Sequence, residues 1–89
     1  MKNIDSYVLE SCYGTQTIYL PTYAEIVDVQ KSDLGITLFY ITDPLELKKD
    51  LRTFVICGLR NHLYEDNYKY IGFLEDSVKG TLFILEVID

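Results

Sequence analysis

Seven short runs of β-branched and aromatic residues divide this chain of 89 residues at intervals of roughly ten. The runs cover residues 7–10, 16–20, 25–30, 36–42, 52–58, 68–74 and 81–88. Only residues 45–51 have a helix-compatible spacing, and that stretch is long enough for about two turns at most. Many short strands predict an all-β fold: a small antiparallel sandwich or a partly open barrel of about seven strands, with at most one short helical turn.

Alternation and turn residues predict which side chains share a face. Ile18 and Leu20 fall on one side of the second run, and Pro21 ends that run because proline cannot donate to a sheet ladder. In the third run Val27 and Val29 fall together. Residues 31–35 and 75–80 contain polar residues and a glycine, which predicts two hairpin turns.

The length and composition predict a single domain over residues 1–89, since 48% of the residues are hydrophobic and two domains would each lack a core. The longest uncharged apolar stretch, 35–42, is far shorter than the roughly 20 residues that cross a membrane. Asp5 lies where a signal peptide would be apolar, so we expect no secretion and a cytosolic location.

The net charge of −6 argues against direct binding to nucleic acid, which requires clustered basic residues. Acidic side chains keep a small protein soluble, and they can also meet a basic partner protein. The sequence leaves both roles open.

Two runs are apolar on both faces, whereas a two-layer sheet protein buries only one face of each antiparallel strand. These are residues 36–42 and 81–88, and a second subunit is the simplest cover for the extra face, with a ligand groove as the alternative. We therefore expect a homo-oligomer, and a dimer as the commonest closed form. The residues predicted to form its interface are Leu38, Tyr40, Leu82 and Ile84.

Eight tyrosines and no tryptophan give the chain much amphipathic aromatic surface. Tyr64, Tyr68 and Tyr70 follow Arg60 and the single histidine, His62. Tyrosine rings stack on bases and arginine donates to phosphate, so this group predicts a site for a nucleotide-like ligand. The alternative is a plain role for the tyrosines on a sheet face or an interface.

No residue constellation in the sequence specifies a reaction. One histidine and scattered carboxylates do not form a metal site, and neither a phosphate-binding glycine loop nor a nucleophile elbow is present. We expect no enzyme, no metal and no cofactor. Cys12 and Cys57 are too few for a disulfide framework, and the apolar run around Cys57 predicts a buried free thiol there.

Several motifs follow one another along nearly the whole chain. They are QTIYLP at 16–21, AEIVDVQ at 24–30, TDP at 42–44, RTFVICG at 52–58, His62, YIG at 70–72 and GTLFILE at 80–86. Their order resembles an uncharacterised family of small proteins from tailed bacteriophages and prophages. The family usually has tryptophan where this chain has Phe39, and a Gly-Thr-Gly-His loop where this chain reads Gly-Leu-Arg-Asn-His at 58–62.

The resemblance implies a viral or prophage origin and an accessory role inside the host cell. Together with the small size and the two-faced strands, it predicts a non-enzymatic protein that antagonises a bacterial defence system by binding. The partner would be a host defence protein or a small nucleotide signal. The alternative is a structural or assembly protein of the virion.

Overall fold

The computed structural model describes residues 1–88, and every regular element in this range is a β-strand. The strands are β1 (Asn3–Val8), β2 (Gly14–Pro21), β3 (Glu25–Ser32), β4 (Gly35–Thr42), β5 (Lys49–Cys57), β6 (Tyr68–Asp76) and β7 (Gly80–Val87). They form two sheets, with the order β1-β4-β3 in sheet A and β2-β5-β7-β6 in sheet B. All hydrogen-bonded neighbours are antiparallel. The predicted all-β class, an antiparallel sandwich or partly open barrel, is confirmed.

β1 and β5 begin earlier than the residue pattern predicts, because pairing extends them. β1 pairs with β4 from Asn3 opposite Thr42, and β5 pairs with β2 as far as Lys49 opposite Pro21. Residues 49–51 are therefore strand, and the helix-compatible stretch 45–51 contains no helix, which agrees with the predicted limit of at most one short helical turn. A long ladder supplies hydrogen bonds that a short isolated helix cannot hold in water.

The core lies between the two sheets and takes alternate residues from each. In β4 every second residue is buried, and the residues between them are only partly covered. Phe54 and Ile56 of β5 meet this layer from sheet B and are fully buried. The cluster also includes Leu9, Ile18, Leu20, Ala24, Val29, Ile36, Leu38, Tyr40, Leu82 and Ile84. The shared face of Ile18 and Leu20 is as predicted.

The four residues predicted to form an oligomer interface belong to this core. Leu38, Leu82 and Ile84 have no exposed surface, and Tyr40 is buried as well. Both faces of β4 and β7 are apolar, so the sequence pattern did not distinguish the inward face from the outward one. The assignment of these four side chains to an intersubunit surface is wrong, because contacts between the sheets of one chain bury them.

A bulge in β3 changes the face of another predicted residue. The register between β3 and β4 shifts between Ile26 and Asp28, so two residues of β3 oppose one of β4. Val29 enters the core, whereas Val27 is exposed and Ile26 packs partly against the core. The predicted pairing of Val27 with Val29 on one face is therefore wrong.

Three contacts fix the position of one sheet against the other. Lys31 of β3 forms an ion pair with Asp76 of β6. Gly72 of β6 passes close to Val29 of β3, since a Cβ at Gly72 would lie 2.8 Å from Val29 Cγ1. At the other end of β3, Arg52 of β5 donates to the backbone oxygen of Ala24, which directly precedes that strand.

Arg52 also binds Glu86 of β7 through two hydrogen bonds. Its Nε is 2.6 Å from Oε2 and its Nη2 is 2.8 Å from Oε1 of the carboxylate. Glu86 is buried, and the bidentate pair neutralises a charge that would be costly to bury alone.

Both cysteines are free thiols; Cys12 is exposed and Cys57 is buried, as predicted. Burial raises the pKa of the Cys57 thiol and so reduces its reactivity. Among residues 1–88, no helix is long and apolar enough to cross a membrane.

Candidate functional site

The outward side of sheet B carries a continuous layer of aromatic and aliphatic side chains. Leu82 and Ile84 of β7 point into the core, so the intervening residues point outward. Residues paired across an antiparallel ladder share a face, and β6 pairs Tyr68, Tyr70 and Phe73 with outward residues of β7. We call the resulting surface the aromatic face; it consists of Tyr68, Tyr70, Phe73, Phe83, Leu85 and Val87.

Part of this face is open to solvent. Tyr70 is 58% exposed and Phe73 is 56% exposed, whereas Phe83 and Leu85 of the central strand are half-buried by their neighbours. Tyr19 of β2 and Leu51 of β5 stand opposite each other on the same side of sheet B and are also more than half exposed. An apolar surface of this extent on a small protein is typical of an interaction site.

The outward side of sheet B is almost uncharged. Among its strand residues only Lys49 and Glu75 carry charge, and they lie at opposite ends of the sheet. Sheet A differs, because Glu25 and Asp28 of β3 stand beside Ile41 and Phe39 on its outward side. The strands of sheet B therefore present an outward side with a single carboxylate, that of Glu75 at one end, in a chain whose net charge is −6.

The connection from β5 to β6 covers the part of the outward side of sheet B that is not open to solvent. β5 and β6 both run antiparallel to β7, which lies between them, so residues 58–67 return along the sheet before β6 begins. Leu63 and Tyr64 of this connection border a cavity of about 140 Å³ together with Val55 and Thr15. The connection thereby shields Val55, which is buried although it points away from the core.

The residues predicted to bind a nucleotide are brought together only in part. His62, Tyr64 and Tyr68 line the 140 Å³ cavity, and the rings of His62 and Tyr64 are 6.5 Å apart between centroids. The Tyr68 hydroxyl accepts a hydrogen bond of 2.9 Å from the backbone N–H of Glu65.

Two other members of the predicted nucleotide site lie elsewhere. Arg60 occupies a turn with a φ of 65° and does not border the cavity, and Tyr70 stands on the open part of the aromatic face. A cavity of about 140 Å³ is also smaller than the roughly 300 Å³ at which small-molecule sites begin. The geometry does not favour a nucleotide at these residues.

A second group of residues that the sequence pattern missed lies at one end of the sandwich. Tyr13, Asn61 and Lys79 border an open groove of about 550 Å³ between the turns that follow β5 and precede β7. They are far apart in the sequence and belong to three different loops, so no local motif connects them. Within residues 1–88 no group of three or more histidine, cysteine or acidic residues is positioned to hold a metal ion.

Comparison with known proteins assigns the chain to no family. No family model, curated protein or solved structure matches the chain. The resemblance to small phage proteins, which depends on the order of short motifs, remains a prediction.

Proposed function

We propose that this chain is a non-enzymatic binding protein that works as a homodimer joined through the aromatic face. The observation that carries the proposal is a surface of exposed aromatic side chains with no charge among them. In a chain with a net charge of −6, two copies repel each other least where such a surface meets its own copy.

The size of the face also suits self-association. A fully buried aromatic side chain removes roughly 150–250 Å² from water, and Tyr70 and Phe73 of the face are a little more than half exposed. Together with Tyr19 and Leu51, which are equally exposed on the same side of sheet B, they offer on the order of 400 Å² per chain. A standard interface buries about 800 Å² per partner, and the residues around the aromatic face would supply the remaining area. The same patch on both copies forms a closed two-fold assembly.

For the biological role, we propose an accessory protein of a tailed phage or prophage that antagonises a bacterial defence system by binding a defence protein. The support for this part is the order of motifs along the chain, which resembles that of small phage proteins. The dimer would leave sheet A outward, where Glu25 and Asp28 provide an acidic border for a basic partner.

Analytical ultracentrifugation of the wild type and of Phe73→Glu tests the dimer. We expect twice the mass of one chain for the wild type at micromolar concentration and a folded monomer for the variant, because the two-fold axis places two new carboxylates in one interface. Val78→Glu is the matched control, since Val78 is an exposed residue of the turn between β6 and β7 and the charge change is the same. A monomeric wild type would contradict the dimer.

Plaque assays test the role. The gene is expressed in strains that each carry one defence system, and each strain is challenged with a phage that the system restricts. Restored plaque formation in at least one strain, lost with Phe73→Glu, supports the proposal. No restoration in any strain, together with recovery of the chain in purified virions, would favour a structural role in the particle instead.

A further inference from the structure

The end groove is built around one asparagine side chain. Asn61 Oδ1 accepts a hydrogen bond of 2.6 Å from the backbone N–H of Gly58 and a second from the Tyr13 hydroxyl. Because a backbone N–H is a donor, the atom that faces it must be the amide oxygen. Both acceptor positions of this oxygen are then used, which fixes the orientation of the side chain.

The other end of the same amide is left as a free donor. Asn61 Nδ2 has two N–H groups, and neither has an acceptor among residues 1–88. Asn61 borders the groove and is exposed, so these N–H groups are accessible to a ligand.

Among residues 1–88, Lys79 provides the only charged side chain that borders the groove. Its Nζ lies 4.8 Å from the centroid of the Tyr13 ring, in a cation–π contact that holds the ammonium group in place. Its backbone N–H donates to the Asp76 carboxylate over 2.8 Å, which fixes the turn that carries it. No carboxylate within residues 1–88 forms an ion pair with Lys79.

Of the residues 1–88, those that border the groove provide one unpaired cation, a free amide donor and no acidic side chain, in a chain whose net charge is −6. The nearby Glu75 carboxylate accepts hydrogen bonds from the Thr81 hydroxyl, which borders the groove. A local excess of donors on an acidic protein favours an anion at this place. Leu59, which is 70% exposed, adds an apolar wall. The volume of about 550 Å³ falls in the range of small-molecule sites.

We infer that the end groove binds a small organic anion. A carboxylate or phosphate group lies between Lys79 Nζ and Asn61 Nδ2, and the apolar part of the ligand packs against Leu59. This site is separate from the aromatic face, and the inference holds whether or not the chain dimerises.

Isothermal titration calorimetry with two organic probes and inorganic phosphate distinguishes a phosphate ligand from a carboxylate ligand. Adenosine 5′-monophosphate presents a phosphate, and N-acetylphenylalanine presents a carboxylate; inorganic phosphate tests the anion without an organic part. We expect saturable binding of at least one organic probe with a Kd below about 1 mM, and weaker binding of inorganic phosphate.

Two variants connect the binding to the groove. Lys79→Gln removes the charge, and we expect it to weaken binding about tenfold or more, since hydrogen bonds to charged groups are the strong ones. Asn61→Asp keeps the acceptor for Gly58 but replaces the free donor with a carboxylate oxygen, so we expect binding to be lost. Circular dichroism and the thermal midpoint of each variant show whether it is folded.

Lys48→Gln is the matched control, because Lys48 is an exposed lysine between β4 and β5 and does not border the groove. It changes the net charge as Lys79→Gln does, and we expect wild-type affinity. Absence of binding by both organic probes at about 10 mM would overturn the inference. Equal affinity of the wild type and Lys79→Gln, or equal affinity for inorganic phosphate and the organic probes, would also overturn it.

Discussion

Tyr23 has an unusual backbone conformation for its residue type. It lies in the turn between β2 and β3 with a φ of 67°, and its side chain is 91% exposed. The left-handed region costs an L-residue about 1–2 kcal/mol, and an exposed ring offers little packing in return. Glycine takes this conformation freely but gains more entropy on unfolding.

We therefore expect Tyr23→Gly to raise the free energy of unfolding by roughly 0.5–1 kcal/mol, measured by urea denaturation. Tyr64→Gly is the control, because Tyr64 is similarly exposed and is not among the residues with positive φ. There glycine relieves no positive φ, brings the entropic cost and removes the ring beside His62, so stability should fall. An equal loss in both variants would show that the Tyr23 conformation carries no strain.

The carboxylate of Asp76 makes the stability of the folded chain depend on pH. The Lys31 ammonium, through its hydrogen bond, is the main cause that holds the pKa of the Asp76 carboxyl well below its usual range. The backbone N–H groups of Lys79 and Val78 add to this, each at 2.8 Å from Oδ1. The ionised carboxylate is thus more stable in the folded chain than in the unfolded one.

Protonation of Asp76 is linked to unfolding, and this linkage gives the direction of the pH effect on stability. The contribution of Asp76 is present above the unfolded pKa of about 4 and is lost as the pH falls towards the lower folded pKa. We expect Asp76→Asn to be less stable than the wild type at pH 7, and the difference to shrink between pH 4 and pH 2, as followed by urea midpoints. Asp66→Asn, in the exposed connection before β6, removes the same charge without these partners and should show little difference. A wild-type advantage over Asp76→Asn that stays constant with pH would contradict this account.

At the scale of elements, the closest approach of the two sheets depends on a missing side chain. A Cβ at Gly72 would lie 2.8 Å from Val29 Cγ1, which is shorter than such contacts allow. We expect Gly72→Ala to lower the free energy of unfolding by about 1–3 kcal/mol, because β6 and β3 must move apart.

A double-mutant cycle identifies the cause. Val29→Ala removes the methyl group that the new Cβ would meet, so Gly72→Ala should cost clearly less in that background. Gly80→Ala is the control: Gly80 has a φ of 79° and open space around it, so its cost arises from the backbone and should be the same in both backgrounds. An unchanged cost of Gly72→Ala in the Val29→Ala background would locate the strain elsewhere.

At the scale of the whole molecule, a dimer makes thermal stability depend on concentration. A chain this small buries only about 60–65% of the surface that its unfolded form exposes, so burial of the aromatic face would add substantially to its stability. We expect the Tm of the wild type to rise with protein concentration, because unfolding releases two chains from each dimer. Differential scanning fluorimetry over a hundredfold range of concentration measures this.

Phe73→Glu should have a lower Tm that does not change with concentration, whereas Val78→Glu should behave as the wild type does. A wild-type Tm independent of concentration would mean that the aromatic face is not joined to a second copy in the folded state.

The number and approximate position of the strands follow from the residue pattern along the chain. Alternating β-branched and aromatic residues repeat with the period of a strand, and Pro21, Gly35 and Gly80 mark turns through their own backbone preferences. The burial of Cys57 also follows from the apolar run around it. These features depend on neighbours in the chain, so a single sequence contains them.

The length of each strand and the direction in which its side chains point depend on strand pairing and on the packing of the two sheets. Residues 49–51 are strand because β2 lies beside them, and the bulge at Val27 exists only against β4. The inward side of β4 and β7 is set by how the two sheets pack, since both sides of each strand are equally apolar. The packing of the two sheets places Leu38 and Ile84 in the core.

The same reason explains the candidate sites. The aromatic face arises because β6 and β7 are paired with a definite register, and the groove arises because the loops that carry Tyr13, Asn61 and Lys79 meet at one end of the sandwich. Tyr13 and Asn61 are 48 residues apart, yet they share a hydrogen bond. Contacts at such separation depend on the strand order, which residue patterns along the chain do not determine.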